Sequence, residues 1–290
     1  MNKHKLVNWS IFIILSFIWG SSFILMKVSS TVLNGWQIAS IRILSAGIIF
    51  LPLAVFHLSK VPKNKLLLVL VSGILGNLLP AFLFAIAIDK KVDSSLAGIL
   101  NSLTPLLVIV MGILIFKAKV GGRKIAGVLV GFIGLLILSL SKGGVTVNNF
   151  WFAFLILLAT VCYALNVNLV SHYLKKVDPL QMATVSLAFM MLPALFVAWR
   201  QDIFTLVAAQ KESHWPIGAA VLLGVAGSAI ATAFFYVLIK RAGGLFASLV
   251  TYGIPVVAIF WGVWDDENVT GIQLGCLSLI LGGVYLANKS

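Results

Sequence analysis

The sequence predicts an all-α integral membrane protein of ten transmembrane helices, arranged as two inverted five-helix repeats with both termini cytoplasmic. Three observations carry that expectation: apolar runs of membrane-spanning length, basic residues that alternate from one set of loops to the other, and an internal match between the two halves of the chain.

Of 290 residues, 61% are hydrophobic and 10% charged, and the mean hydropathy is +1.10; soluble domains are about 25% charged. The apolar residues gather into ten runs of roughly 20, the length that crosses a hydrocarbon core of about 30 Å at about 1.5 Å per residue. They lie at about 8–28, 36–56, 66–88, 94–116, 123–141, 150–171, 180–199, 215–239, 245–264 and 270–287. The longest connection, RQDIFTLVAAQKESH at 200–214, leaves no room for a soluble domain. The first run follows Lys3, His4 and Lys5 but lacks a small-x-small cleavage pattern, so it reads as a retained helix. Cys162 and Cys276 sit inside apolar runs with no CxxC spacing and read as buried free thiols.

Orientation follows from lysine and arginine placement. With a cytoplasmic N-terminus, the inner segments hold Lys60, Lys63, Lys65, Lys117, Lys119, Arg123, Lys124, Lys175, Lys176, Lys240 and Arg241, while the acids, apart from Asp178, fall outside. Lys27 and Arg42 lie within or at the edge of spans. The net charge of +13 is therefore a topology signal. A nucleic-acid partner is excluded, because the basic residues are split among short loops and form no single face.

Sliding the chain on itself exposes the duplication. Trp19 and Gln37 match Tyr163 and Gln181 at an offset of 144; Ala97 and Pro105 match Ala247 and Pro255 at 150; Gly127 and Gly134 match Gly275 and Gly282 at 148. The units are residues 1–141 and 150–290. Five spans per unit is an odd number, so the second unit enters the membrane upside down, the architecture that recurs in secondary transporters.

A polar side chain in a span belongs on the bundle interior or a wet cavity, because hydrocarbon offers it no partner. The expected cavity residues are Trp19, Ser22, Asn77, Asn101, Thr104, Tyr163, Asn166, Tyr236, Thr251 and Tyr252. Trp19 and Ser22 pair with Tyr163 and Asn166 under the repeat, placing one aromatic and one polar group at matched depth. Pro105 and Pro255 are expected helix kinks, each depriving the carbonyl four residues back, at Asn101 or Thr251, of its helical partner. Lys27, Arg42 and Glu267 are candidates for charge pairing. Gly127 and Gly131, Gly271 and Gly275, and the ridge Ala220, Gly224, Ser228, Thr232 are expected at close helix contacts.

No Asp or Glu lies inside a span, so a membrane-embedded acid cannot carry protons here. Enzyme chemistry is disfavoured as well. His4, His57, His172 and His214 sit at or beyond span ends, and neither HExxH nor an in-span carboxylate pair occurs, so no catalytic, metal or cofactor site is expected.

WGSSF with Lys27, IRILSAG at 41–47, AIAIDKKVDSSLAGILNSLTPLL at 85–107, Gly127 to Gly134, KRAGGLFASLVTYGIPV and Gly275 to Gly282 together resemble a ten-span member of the drug/metabolite transporter superfamily of the EamA type. The likeness covers nearly the whole chain. It implies a central cavity between two inverted repeats and movement of small organic solutes, often outward. Members usually carry a glutamate just after the fourth and ninth spans; Glu267 matches, but its counterpart here is Lys117. The resulting expectation is a multi-pass protein of the inner (cytoplasmic) cell membrane, monomer or homodimer. It would export small metabolites such as amino acids by alternating access, with a small-molecule solute and the lipid bilayer as partners. The competing reading is a non-transporting scaffold or assembly subunit.

Overall fold

A computed structural model describes residues 3–90, 92, 94–141, 150–209, 214–264 and 270–288. Every regular element among the described residues is helical. In chain order these are α1 (Lys3–Ser29), α2 (Gly35–Leu58), α3 (Lys63–Gly73), α4 (Leu79–Asp89), α5 (Ser94–Ser102), α6 (Thr104–Leu114) and α7 (Gly122–Ser141). The second half follows with α8 (Phe150–Tyr173), α9 (Pro179–Arg200), the short α10 (Ile203–Ala209), α11 (His214–Gly224), α12 (Ala231–Ala242), α13 (Gly244–Ser248), α14 (Val250–Trp264) and α15 (Gly271–Asn288). Eight helical stretches are long and apolar enough to cross a membrane, and Gly244–Val257 is a shorter apolar helix. Outward faces carry exposed Phe56, Leu67 and Leu114, which lipid accepts and water would not.

Short polar signals start the second helix of each half. Asn34 caps α2, its side chain accepting from the Gln37 amide while the Gln37 side chain accepts from the Asn34 amide. Asp178 caps α9, its carboxylate accepting from the amides of Leu180 and Gln181, with Pro179 supplying a first turn that needs no donor. Asn34 and Asp178 stand at the same offset of 144 that aligns Gln37 with Gln181. Gln201 then ties the start of α2 to the end of α9, accepting from Asn34 Nδ2 at 3.2 Å and, through its carbonyl, from Gln37 Nε2 at 3.2 Å.

Two rods contain a π-helical turn, Ile74–Leu78 between α3 and α4 and Val225–Ile230 between α11 and α12. Pro80 accounts for the first: it cannot donate to the Gly76 carbonyl, and the amide of Leu79 reaches back five residues to Ile74 instead. The second contains no proline. The two turns fall about 150 residues apart, close to the repeat offset.

The expected kinks do not form as a matched pair. At Pro105 the helix stops and restarts: α5 ends at Ser102, and Pro105 occupies the first turn of α6. Thr104 Oγ1 donates to the Asn101 carbonyl at 2.6 Å, supplying the partner that proline withholds. In the second half α14 runs through Pro255 without interruption, and the break lies earlier, at Leu249.

Pairing of the rods brings the halves together. α2 lies along α9 and α7 along α15; α1 packs on α14, α11 and α12, and α8 packs correspondingly on α6, α5 and α4. At the α7–α15 crossing the backbones touch, since a Cβ on Gly127 would stand 2.7 Å from the Gly283 carbonyl and one on Gly283 would stand 2.6 Å from the Gly127 carbonyl. The contact uses Gly127, Gly131 and Gly283. Gly271 and Gly275, expected at such a contact, have nothing within 4 Å. Gly127→Val or Gly283→Val is expected to lower the unfolding free energy in detergent by about 1–3 kcal/mol or more. Gly275→Val should move it by no more than about 0.5 kcal/mol, read from thermal midpoints of the purified variants.

Candidate functional site

A cavity of about 90 Å³ lies at the centre of the bundle. Its aromatic walls begin on α1, where Trp19 and Phe23 face inward with Ser22 and Met26, and on α12, where Phe235 stands 5.1 Å from the Trp19 ring at 63°. Trp19 is held by its indole N–H, which donates to the Gly227 carbonyl at 3.0 Å, inside the second π turn. Across the cavity, Phe84 of α4 and Tyr163 of α8 lie with ring centroids 6.2 Å apart.

One end of the cavity is closed by a buried polar cluster. Ser72 Oγ donates to Asn166 Oδ1 at 2.8 Å, and Tyr236 Oη donates in turn to Ser72 Oγ at 2.7 Å. Gly76, in the first π turn, makes room for this cluster, because a Cβ there would collide with the Asn166 amide. Beside it Thr232 Oγ1 donates to Asn77 Oδ1 at 2.7 Å. The cluster joins α3, α8 and α12.

Four of the cavity hydroxyls share one habit. Ser22 donates to Ile18 O at 2.8 Å, Thr104 to Asn101 O at 2.6 Å, Ser248 to Leu245 O at 2.7 Å and Thr251 to Ser248 O at 3.0 Å. Each of these four hydrogens is spent on its own chain within a turn, so these hydroxyls have only oxygen lone pairs left to offer. Asn101 also lines the cavity, and its Oδ1 is buried without a partner.

Arg42 changes the character of the site. The sequence reading left it within or at the edge of a span; it lies seven residues into α2 and lines the cavity. Its Nε donates to Ser228 Oγ at 2.7 Å. No acidic side chain meets it among the described residues. Insertion scales put a charge at mid-helix at about 2.5–3.5 kcal/mol, a cost that a place on a polar cavity wall reduces. The small-residue ridge of α11 and α12 makes this placement possible. A Cβ on Gly224 would clash with Ser45 Oγ and the Arg42 carbonyl, and Ser228, one turn on, receives the guanidinium.

Of the residues expected at the cavity, Trp19, Ser22, Asn101, Thr104, Tyr163, Asn166, Tyr236 and Thr251 line it. Asn77 stands behind Thr232. Tyr252 points elsewhere: it is fully buried, donates to the Val128 carbonyl at 2.9 Å and rests its ring on Gly131, tying α14 to α7. Lys27 is exposed and takes part in no ion pair among the described residues, and Glu267 lies outside the described residues. Phe23, Phe84, Phe235 and Ser248 were missed; for the phenylalanines the sequence offers no mark separating a cavity ring from a lipid-facing one.

A family model described as the EamA-like transporter family matches residues 8–140 and again 150–289. The uncharacterized inner membrane transporter YedA of Escherichia coli K12 is 27% identical over 277 residues, covering 93% of this chain and 86% of that protein. An uncharacterized transporter of Archaeoglobus fulgidus is 22% identical over 280 residues, covering 96% and 98%. A chloroplastic WAT1-related protein of Arabidopsis thaliana is 23% identical over 295 residues, covering 97% and 69%. One crystal structure superposes with a TM-score of 0.69 at 19% identity over 97% of this chain and 96% of its own, a likeness of fold.

Tyr252→Phe is expected to cost about 0.6–1.7 kcal/mol, the range for a hydrogen bond between membrane helices. Solute binding should be unchanged, because the ring faces α7; thermal midpoint and ligand titration on the same sample separate the two effects.

Proposed function

The chain belongs to the EamA-like transporter family of the drug/metabolite transporter superfamily, and on that premise we propose that it exports small metabolites such as amino acids by alternating access. It is a multi-pass membrane transporter of the cell membrane. In the proposed mechanism residues 1–141 and 150–290 form two five-span units of opposite orientation, ten spans in all with both termini cytoplasmic, which rock about a solute held between them.

One observation carries the reading. Trp19 and Tyr163, Ser22 and Asn166, and Asn101 and Thr251 are repeat-related pairs at offsets of 144, 144 and 150, and all six residues line the same cavity. A site built in duplicate by both units presents similar groups whichever unit closes over it, which suits a cycle between two states of comparable energy. The two separate matches to one family model support the duplication. Export follows the common direction of the family the chain resembles.

The reading is tested by counterflow in proteoliposomes, with radiolabelled neutral amino acids taken up against the same unlabelled compound inside. Uptake above that of empty liposomes is expected, and Trp19→Leu and Asn166→Leu should each reduce it by roughly tenfold, the equivalent of about 1.4 kcal/mol. If both variants keep full cellular function while Gly127→Val abolishes it, the protein is a scaffold and not a carrier.

A further inference from the structure

The wall chemistry is asymmetric in a way the transport reading alone does not use. Donors are scarce: the Trp19 indole is committed to Gly227, and the hydroxyls of Ser22, Thr104, Ser248 and Thr251 donate to their own chain within a turn. The guanidinium of Arg42 offers a charged fork: its Nε is engaged by Ser228, and its two terminal amino groups bond nothing among the described residues. Acceptors are in surplus. Asn101 is 8% exposed, lines the cavity and keeps Oδ1 without a partner.

The two lie at a similar depth on the wall of one cavity. Arg42 is seven residues past Gly35 in α2, and Asn101 is seven past Ser94 in α5. The chain crosses once between these helices, through α3 and α4, so both begin on the same side and both residues sit about 10 Å below it. A planar fork of N–H donors fits a carboxylate with two parallel bonds. An orphaned amide oxygen at the same level fits a donor carried close to that carboxylate.

We infer that the cavity selects a small carboxylate with a hydrogen-bond donor on the neighbouring carbon, Arg42 taking the carboxylate and Asn101 the donor. The inference rests on the transport reading for its choice of cavity. Amino acids and hydroxy acids share this chemistry. The aromatic rings of Trp19, Phe84 and Tyr163 are left to contact the remaining apolar part of the solute, and the volume of about 90 Å³ keeps that part small.

The test uses the purified full chain in detergent and reads thermal midpoint against probe concentration. L-alanine and L-lactate are the matched probes, with L-alaninamide lacking the carboxylate, propionate lacking the donor, and inorganic phosphate as another anion. L-alanine or L-lactate is expected to raise the midpoint; L-alaninamide should bind at least about tenfold more weakly, and propionate should fall between them. Arg42→Gln should weaken the bound acid by roughly tenfold to a hundredfold, and Arg42→Lys by less, because it keeps the charge but not the fork. Asn101→Ala should weaken L-alanine and L-lactate while leaving propionate unchanged. If L-alaninamide matches L-alanine, if Arg42→Gln binds the acids as well as the wild type, or if phosphate alone stabilises the protein, the inference is overturned. Should Arg42→Gln fail to fold, the wild-type comparison of acid with amide decides. Binding by these rules without counterflow would sink the transport reading and leave the inference standing; counterflow indifferent to the carboxylate would do the reverse.

Discussion

A polar group inside a bilayer has no water to fall back on, and most of those here are placed where a partner can be found. Many serines and threonines of the spans bond carbonyls one turn back on their own helices, as Ser16 does with Phe12 and Thr160 with Ile156. The backbone leaves α-helical geometry only where a neighbour repairs the loss. Thr104 supplies the donor that Pro105 withholds from Asn101, and the Gly227 carbonyl within the second π turn receives the Trp19 indole. The irregular points therefore gather at the cavity, where side chains from several helices are within reach of one another.

That constraint also explains why the halves are alike without being copies. Each has a capped second helix, a π turn in its third rod and a break in its fourth, yet the fourth-rod breaks fall at Leu103 and Leu249, which are not equivalent under the repeat. Pro105 begins a new helix; Pro255 is absorbed in mid-helix. Backbone freed in one half is met by Thr104, whereas position 254, its counterpart at an offset of 150, holds isoleucine. The two halves thus differ locally where one holds Thr104 and the other Ile254.

Much of this was legible in the chain. Span lengths, the alternating charge and the offsets of 144 to 150 located the rods and most of the cavity wall, because bilayer thickness and the scarcity of in-span polar residues act on sequence directly. What escaped depended on rotation about a helix axis, which composition does not record. Tyr252 is as polar and as central as Tyr236, but it faces α7. Gly275 repeats Gly127 in sequence, yet the crossing of α7 and α15 selects Gly283, because helix rotation and not periodicity decides which glycine meets which. Arg42 looked like a span-edge cation until Gly224 and Ser228 showed that α11 and α12 are shaped to receive it.

A lone guanidinium in such a cavity also bears on how closure and occupancy depend on each other. While the site is wet, water solvates Arg42, and a carboxylate about 4 Å away gains about 1 kcal/mol; at an effective dielectric constant near 20 the same pair gains about 4 kcal/mol. Expelling water around an empty site removes the solvation and returns nothing, so the empty protein resists closing. In the proposed cycle a carboxylate in place would offset the desolvation through the growing attraction, so that closure would be favoured only when loaded. On the proposed reading, a carrier built this way would need no acid in its spans to avoid cycling empty, because the solute carboxylate would supply the missing negative charge.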